Sequence, residues 1–163
     1  MGRHGIEISV NGTWMKAEVT ALDTLLEVLR DRFGAFDVKN GCGQGDCGVC
    51  TVLLDGAAVN SCLTLAVQAD GREVTTLTGL GTPDEPHPLQ ESFLRHGAIQ
   101  CGFCTSGMVL TAKALLDESP TPSREEIREA ISGNLCRCTG YTKIVDAIED
   151  VAGHPEHSGG RAR

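Results

Sequence analysis

Aromatic side chains are scarce in this 163-residue chain: four Phe, one Tyr and one Trp. Aromatics supply much of the buried area of small cores, so a core built here mainly from aliphatic residues needs reinforcement. In small proteins that reinforcement is usually disulfides or metal. Long apolar runs are missing too; none approaches the roughly 18 residues a membrane span requires. Arg3, His4 and Glu7 interrupt the first ten residues, where a signal peptide would carry its apolar stretch. Cations are outnumbered, 14 Lys and Arg against 22 Asp and Glu, for a net charge of −8. Phosphate binding rests on Lys and Arg, so neither nucleic acid nor a membrane span fits. Without an export signal the expected compartment is the reducing cytoplasm, which weighs against disulfides and for metal.

What the chain does have is eight cysteines, and the pattern around them divides in two. Ile6, Ile8 and Val10 alternate with polar residues up to the hairpin dipeptide Asn11-Gly12, and a second alternating run reaches Val19. Thr24 and Glu27 match a capping box, and Leu22, Leu25, Leu26, Leu29 and Phe33 follow helical spacing. After a Gly/Cys-rich loop, a second hairpin runs from Thr51 to Leu54, turns at Asp55-Gly56 and continues from Ala57 to Ser61. Arg72 to Thr78 reads as the last strand. Two hairpins around one helix predict a small mixed sheet with the helix across it, over residues 1–78.

Glycine, proline and acidic residues mark a linker over 79–87. Beyond it the period is helical. Pro88 opens a helix to about His96; a second covers Gly102 to Asp117, with Met108, Ala112, Leu115 and Leu116 on one face. A third starts at the Ser123/Glu126 capping box, carries Ile127, Ala130 and Ile131, and ends at Gly133. The fourth, Gly140 to Ala152, places Ile144, Val145, Ile148 and Val151 together. Four short helices predict a compact bundle over 88–152, and the unpatterned stretch 153–163 a mobile tail. The fold class is α+β.

The cysteines fall one set to each half. Cys42, Cys47, Cys50 and Cys62 read C-x4-C-x2-C with a fourth after eleven residues, the spacing of plant-type 2Fe–2S sites. Gly41, Gly43, Gly45 and Gly48 let the loop wrap closely, and their N–H groups suit an anionic cluster. The hairpin at Asp55-Gly56 carries Cys62 back toward the loop. Zinc sites usually bring two close pairs, and disulfides leave the four glycines unexplained.

In the second half, Cys101 and Cys104 form C-x2-C, and Cys136 and Cys138 form C-x-C after 31 residues. Each pair sits at a predicted helix start, where unpaired N–H groups favour thiolates and an anionic cluster. From spacing alone, structural zinc competes with iron–sulfur here. No histidine lies within two residues of a cysteine, which counts against a two-histidine cluster.

Three segments then resemble one family. Gly41-Cys42-Gly43-Gln44-Gly45-Asp46-Cys47-Gly48-Val49-Cys50-Thr51 resembles the first cluster loop of the molybdenum hydroxylases, the xanthine oxidase family. Gln100-Cys101-Gly102-Phe103-Cys104-Thr105 and Asn134-Leu135-Cys136-Arg137-Cys138-Thr139-Gly140-Tyr141 are similar to its second cluster segments. The likeness covers about residues 5 to 152, with the segments in family order. It implies a β-grasp, plant-type ferredoxin-like domain followed by a four-helix domain, each holding one 2Fe–2S cluster, and so favours iron–sulfur at the second site. It implies a small subunit that passes electrons from a molybdenum–molybdopterin cofactor, in dinucleotide form, on a large subunit to FAD on a medium one. The assembly implied is a dimer of heterotrimers. Gln100 and Cys138 would approach the pterin, and Gln offers both donor and acceptor. Relatives act on purines, N-heteroaromatics, aldehydes or carbon monoxide; the first loop leans toward an N-heteroaromatic substrate.

One departure is Ser106, where the family usually has proline; a small stability cost and no change of ligand are expected. His154 and His157 read as solvated, and His87 and His96 as exposed or capping residues. Ser106 and Ser132 sit in no nucleophile motif. Gly43 to Gly48 spells G-x-G-x-x-G, but cysteines occupy that loop and no dinucleotide helix follows. The alternatives to the subunit reading are a free two-cluster carrier and a zinc-stabilised interaction module.

Overall fold

A computed structural model describes residues 2–153; His154, His157 and the tail beyond Gly153 lie outside the described residues. The chain opens with an antiparallel hairpin, β1 (Arg3–Val10) and β2 (Thr13–Thr20). Asn11 and Gly12 both take positive φ, 51° and 81°, as a two-residue hairpin turn twisted like its strands requires. Asp55 and Gly56 repeat this at φ 50° and 83° between β3 (Thr51–Leu54) and β4 (Ala57–Asn60). With β5 (Glu73–Thr75) the strands form one mixed sheet in the order β2-β1-β5-β3-β4, β1 and β5 being parallel.

Across the sheet lies α1 (Leu25–Glu27), continued by a π-helical turn over Val28–Arg32. The Thr24/Glu27 capping box is present, and Leu25, Leu26, Val28 and Leu29 pack on Ile6, Ile8, Val52, Leu54 and Val74. Cys50 and Cys62 belong to this core. Leu22, expected on the helical face, is instead 65% exposed, because it precedes the cap and lies outside the helix. β5 is shorter than expected; a 3-10 turn takes over at Leu77–Gly79, where the Asn11 side chain receives the Thr76 N–H at 2.8 Å.

The second half contains α2 (Pro88–Arg95), α3 (Thr105–Glu118), α4 (Arg124–Ala130) and α5 (Thr142–Val151). They enclose a separate core of Leu89, Phe93, Met108, Ala112, Leu116, Ile127, Ile144 and Ile148. Phe93 is the one aromatic residue buried there; aliphatic side chains do the rest. α3 begins at Thr105 rather than Gly102, since Gly102 has φ 80°, which no right-handed helix accommodates. α5 begins at Thr142 rather than Gly140 for the same reason: Gly140 and Tyr141 have φ 67° and 68°. α3 also packs against β3, and Leu53 and Leu110 are buried outside both cores. Among the described residues no helix is long and apolar enough to cross a membrane.

Candidate metal centres

The first cysteine set hangs between the sheet and the loop that precedes it. Cys50 immediately precedes β3 and Cys62 closely follows β4. The register Thr51↔Asn60 sets Ser61 beside Cys50, whose carbonyl accepts from Ser61 Oγ at 2.7 Å. Asn60 Nδ2 holds the loop by donating to the Gly45 carbonyl at 3.2 Å. The Cys42 thiol is pulled down to about 6, first by the Gln44 N–H, then by the Cys47 N–H and the Cys47 side chain; Gln44 N lies 3.5 Å from Cys42 Sγ. Burial pushes the Cys62 thiol up to about 11, and the adjoining Cys50 thiol adds to it. Closeness requires glycine at Gly41, where a Cβ would sit 2.9 Å from Cys47 Sγ, whereas Gly43 and Gly45 are set by positive φ, 68° and 88°.

The second set is built by two turns. Cys101 and Cys104 lie just before α3, with Cys104 as its N-cap residue. Cys136 and Cys138 lie between the 3-10 turn Ile131–Gly133 and α5, ahead of the helix rather than at its first turn, which corrects the expectation that both pairs sit at helix starts. Tyr141 supplies what the helix start does not: its Oη accepts the Cys136 N–H at 2.8 Å, while Thr139 Oγ1 lies 3.1 Å from Cys136 Sγ. The sulfurs of Cys138 and Cys101 are 3.5 Å apart, and Cys104 adjoins Cys136. Burial lifts the Cys104 thiol to about 12, and the Phe103 N–H lowers that of Cys101.

Both sets thus gather as two adjacent pairs of thiols: Cys42 with Cys47 and Cys50 with Cys62, then Cys101 with Cys138 and Cys104 with Cys136. A tetrahedral zinc ion asks four donors to converge on one centre. A two-iron cluster asks for two thiolates on each iron, and this donor geometry fits it. Among the described residues no three His, Cys, Asp or Glu side chains are set to hold a single ion.

The other sequence candidates fall elsewhere. Gln100 is exposed beside Cys101, and Cys101 and Cys138 are exposed with it. His87 caps α2, its ring accepting the Leu89 N–H at 3.2 Å, and His96 lies against Ser92. Ser92 is fully buried and donates to the Ala147 carbonyl at 2.8 Å, a tie between helices rather than a nucleophile. Tyr141, Thr139 and Asn134 are the site residues that spacing missed; only the Gly140-Tyr141 pair carries a local signal, a turn dipeptide just before a helix.

Comparison with known proteins agrees with this layout. Residues 8–78 match the family described as "2Fe-2S iron-sulfur cluster binding domain", and residues 76–149 the one described as "2Fe-2S binding domain". The chain is 51% identical over 148 residues to the nicotine 6-hydroxylase small subunit of Paenarthrobacter nicotinovorans, covering 91% of this chain and 89% of that one. Among solved structures, quinoline 2-oxidoreductase from Pseudomonas putida 86 superposes with a TM-score of 0.88 at 49% identity, over 96% of this chain and 94% of the other. The aldehyde oxidoreductase of Desulfovibrio desulfuricans gives a TM-score of 0.87 at 48% identity over 91% of this chain, but only 17% of that much longer chain is involved.

Proposed function

The chain belongs to the small iron–sulfur subunits of the molybdenum hydroxylases, and from that premise we propose how its residues serve electron transfer in a multi-subunit oxidoreductase. Cys42, Cys47, Cys50 and Cys62 hold one 2Fe–2S cluster, and Cys101, Cys104, Cys136 and Cys138 hold the other. When bound, each cluster takes up and releases one electron at a time. The observation that carries the reading is the grouping of each sulfur set into two adjacent pairs. Residues 1–78 act as a β-grasp unit and 88–152 as a four-helix bundle, joined through 79–87.

The chain's own residues supply three things. Backbone N–H groups of Gln44, Asp46 and Cys47 point at the Cys42 sulfur and stabilise it as a thiolate. Burial of Cys50 and Cys62 excludes water from half of the first site. The exposed Gln100 amide and the exposed Cys138 offer a contact to a partner, which we assign to the pterin of a molybdenum cofactor on a large subunit. FAD on a medium subunit is the acceptor. Leu63, Phe103 and Leu135 are exposed near the cysteine loops, apolar surface suited to being covered by such partners. Nicotine and quinoline in the relatives' names support an N-heteroaromatic substrate, bound on the large subunit. The dimer of heterotrimers and the cytoplasmic location belong to the same proposal.

The test is Cys47→Ser in the purified complex. Electron paramagnetic resonance of the reduced variant is expected to show the second cluster without the first. Two intact signals overturn the ligand assignment; a colourless, zinc-containing wild-type protein overturns the cluster reading. A small monomer carrying both clusters on gel filtration overturns the subunit reading.

A further inference from the structure

The two cysteine loops meet at a seam where backbone touches backbone. A Cβ on Gly107 of α3 would sit 2.2 Å from the Gly48 carbonyl oxygen, and one on Gly48 would sit 2.4 Å from that of Gly133. Into this seam goes the side chain of Asn134, 5% exposed. Its Nδ2 donates to the Gly48 carbonyl at 2.9 Å and reaches Thr51 Oγ1 at 3.4 Å, while its Oδ1 accepts from Thr111 Oγ1 at 3.0 Å. One amide therefore ties the first cysteine loop and β3 to α3 and the second cysteine loop. Only an amide offers donor and acceptor at the two ends of so short a side chain. The next residue, Leu135, gives its N–H to the Cys47 carbonyl at 2.9 Å. Cys47 and Cys136, one from each sulfur set, are thus joined through their own backbones and a single hydrogen bond.

We infer that Asn134 is a positioning residue for electron exchange between the two cysteine sets: its amide holds the Leu135 N–H on the Cys47 carbonyl and so fixes the spacing and contact of the two loops. The inference rests on the proposal that each set holds a cluster. A buried asparagine that served stability alone would leave that contact unchanged whenever the fold survived its removal. Loss of the amide strips the seam of its tie to Gly48, Thr51 and Thr111 together, whereas loss of the Thr111 hydroxyl strips only one.

The experiment uses the intact complex carrying Asn134→Ala or Thr111→Val. Iron content and the separate signals of the reduced clusters first establish loading. Two readouts follow: the low-temperature magnetic splitting between the two reduced clusters, and the rate at which an electron from a photochemical reductant equilibrates between them. Asn134→Ala is expected to lose the splitting and to equilibrate several-fold more slowly, with Thr111→Val intermediate. Wild-type splitting and rate in a fully loaded Asn134→Ala overturn the inference. So does a misfolded Asn134→Ala accompanied by wild-type values in Thr111→Val, since the seam is then structural only. A wild-type complex without two reducible clusters fails the underlying proposal instead.

Discussion

Gly48 is constrained twice over, by a left-handed backbone at φ 66° and by the Gly133 carbonyl where a Cβ would stand. Gly71 shares the backbone conformation, at φ 72°, but has open space around it. The two therefore separate strain from crowding. Gly71→Ala is expected to lose about 1–2 kcal/mol from the left-handed penalty alone, and Gly48→Ala roughly 2–5 kcal/mol once overpacking is added. Denaturant midpoints of the two variants check this; equal losses would mean that the seam yields freely. The glycine density of the first loop was legible as a wrapping signal, but Gly48's second constraint was not, because the residue that imposes it is 85 positions away in the chain. Ser106 is a different case. It is buried at the second position of α3, and its hydroxyl has no hydrogen-bond partner, which gives a physical cause for the stability cost expected from the sequence. Ser106→Pro removes that hydroxyl and stiffens the unfolded chain, where helix hydrogen bonding has no use for the N–H. It is expected to raise stability by about 1–2 kcal/mol in a melting experiment, and a fall would show that Thr105 cannot precede a proline there.

The elements that sequence located best are those whose ends are written in side chains. The capping boxes at Thr24/Glu27 and Ser123/Glu126 are both present, and the Asn11-Gly12 and Asp55-Gly56 turns take the backbone their residues favour. The starts of α3 and α5 were missed because Gly102, Gly140 and Tyr141 take positive φ; glycine permits this locally, whereas Tyr141 takes it against its preference while its hydroxyl holds the Cys136 N–H. The Asp55 turn also carries a pH dependence. Its carboxylate accepts from Arg72 Nε at 2.6 Å and from the Glu73 N–H at 2.9 Å, and these bonds, Arg72 first, hold its pKa below the ordinary carboxylate value. The folded state therefore binds the Asp55 proton less tightly than the unfolded chain, whose pKa is about 3.9. The stabilisation is full above that value and is lost as pH falls through the lower folded pKa. Asp55→Asn keeps a residue that tolerates positive φ and is expected to be weaker than wild type at pH 7 by roughly a few tenths of a kcal/mol, the pair being half-exposed. The difference should hold steady down to pH 5 and vanish below the folded pKa; unfolding curves of both proteins across that range test the sign.

At the scale of the whole molecule, two aliphatic cores with one buried aromatic between them leave the cysteine sets unequally covered. Cys50 and Cys62 lie within the sheet core, whereas Cys101 and Cys138 are exposed. The spacings gave no sign of this difference, since coverage depends on how the halves dock along α3 and β3. Division into two halves was legible because the hydrophobic period changes from strand to helix at the linker. Docking was not, because Gly48, Gly107 and Asn134 carry no periodic signal. The unequal coverage has a consequence for how each cluster would be released. Separated from the complex, the chain is expected to lose the second cluster to an iron chelator well before the first, because chelator reaches Cys101 and Cys138 directly and must open the sheet core to reach Cys50 and Cys62. Within the complex the order should disappear if the large subunit seals the Gln100 edge, as proposed. Following the two reduced signals through a chelation time course in both states decides it. If the first cluster is lost first from the separated chain, burial of its ligands does not govern its release. If the second remains labile within the complex, the Gln100 edge is not the face that the large subunit covers.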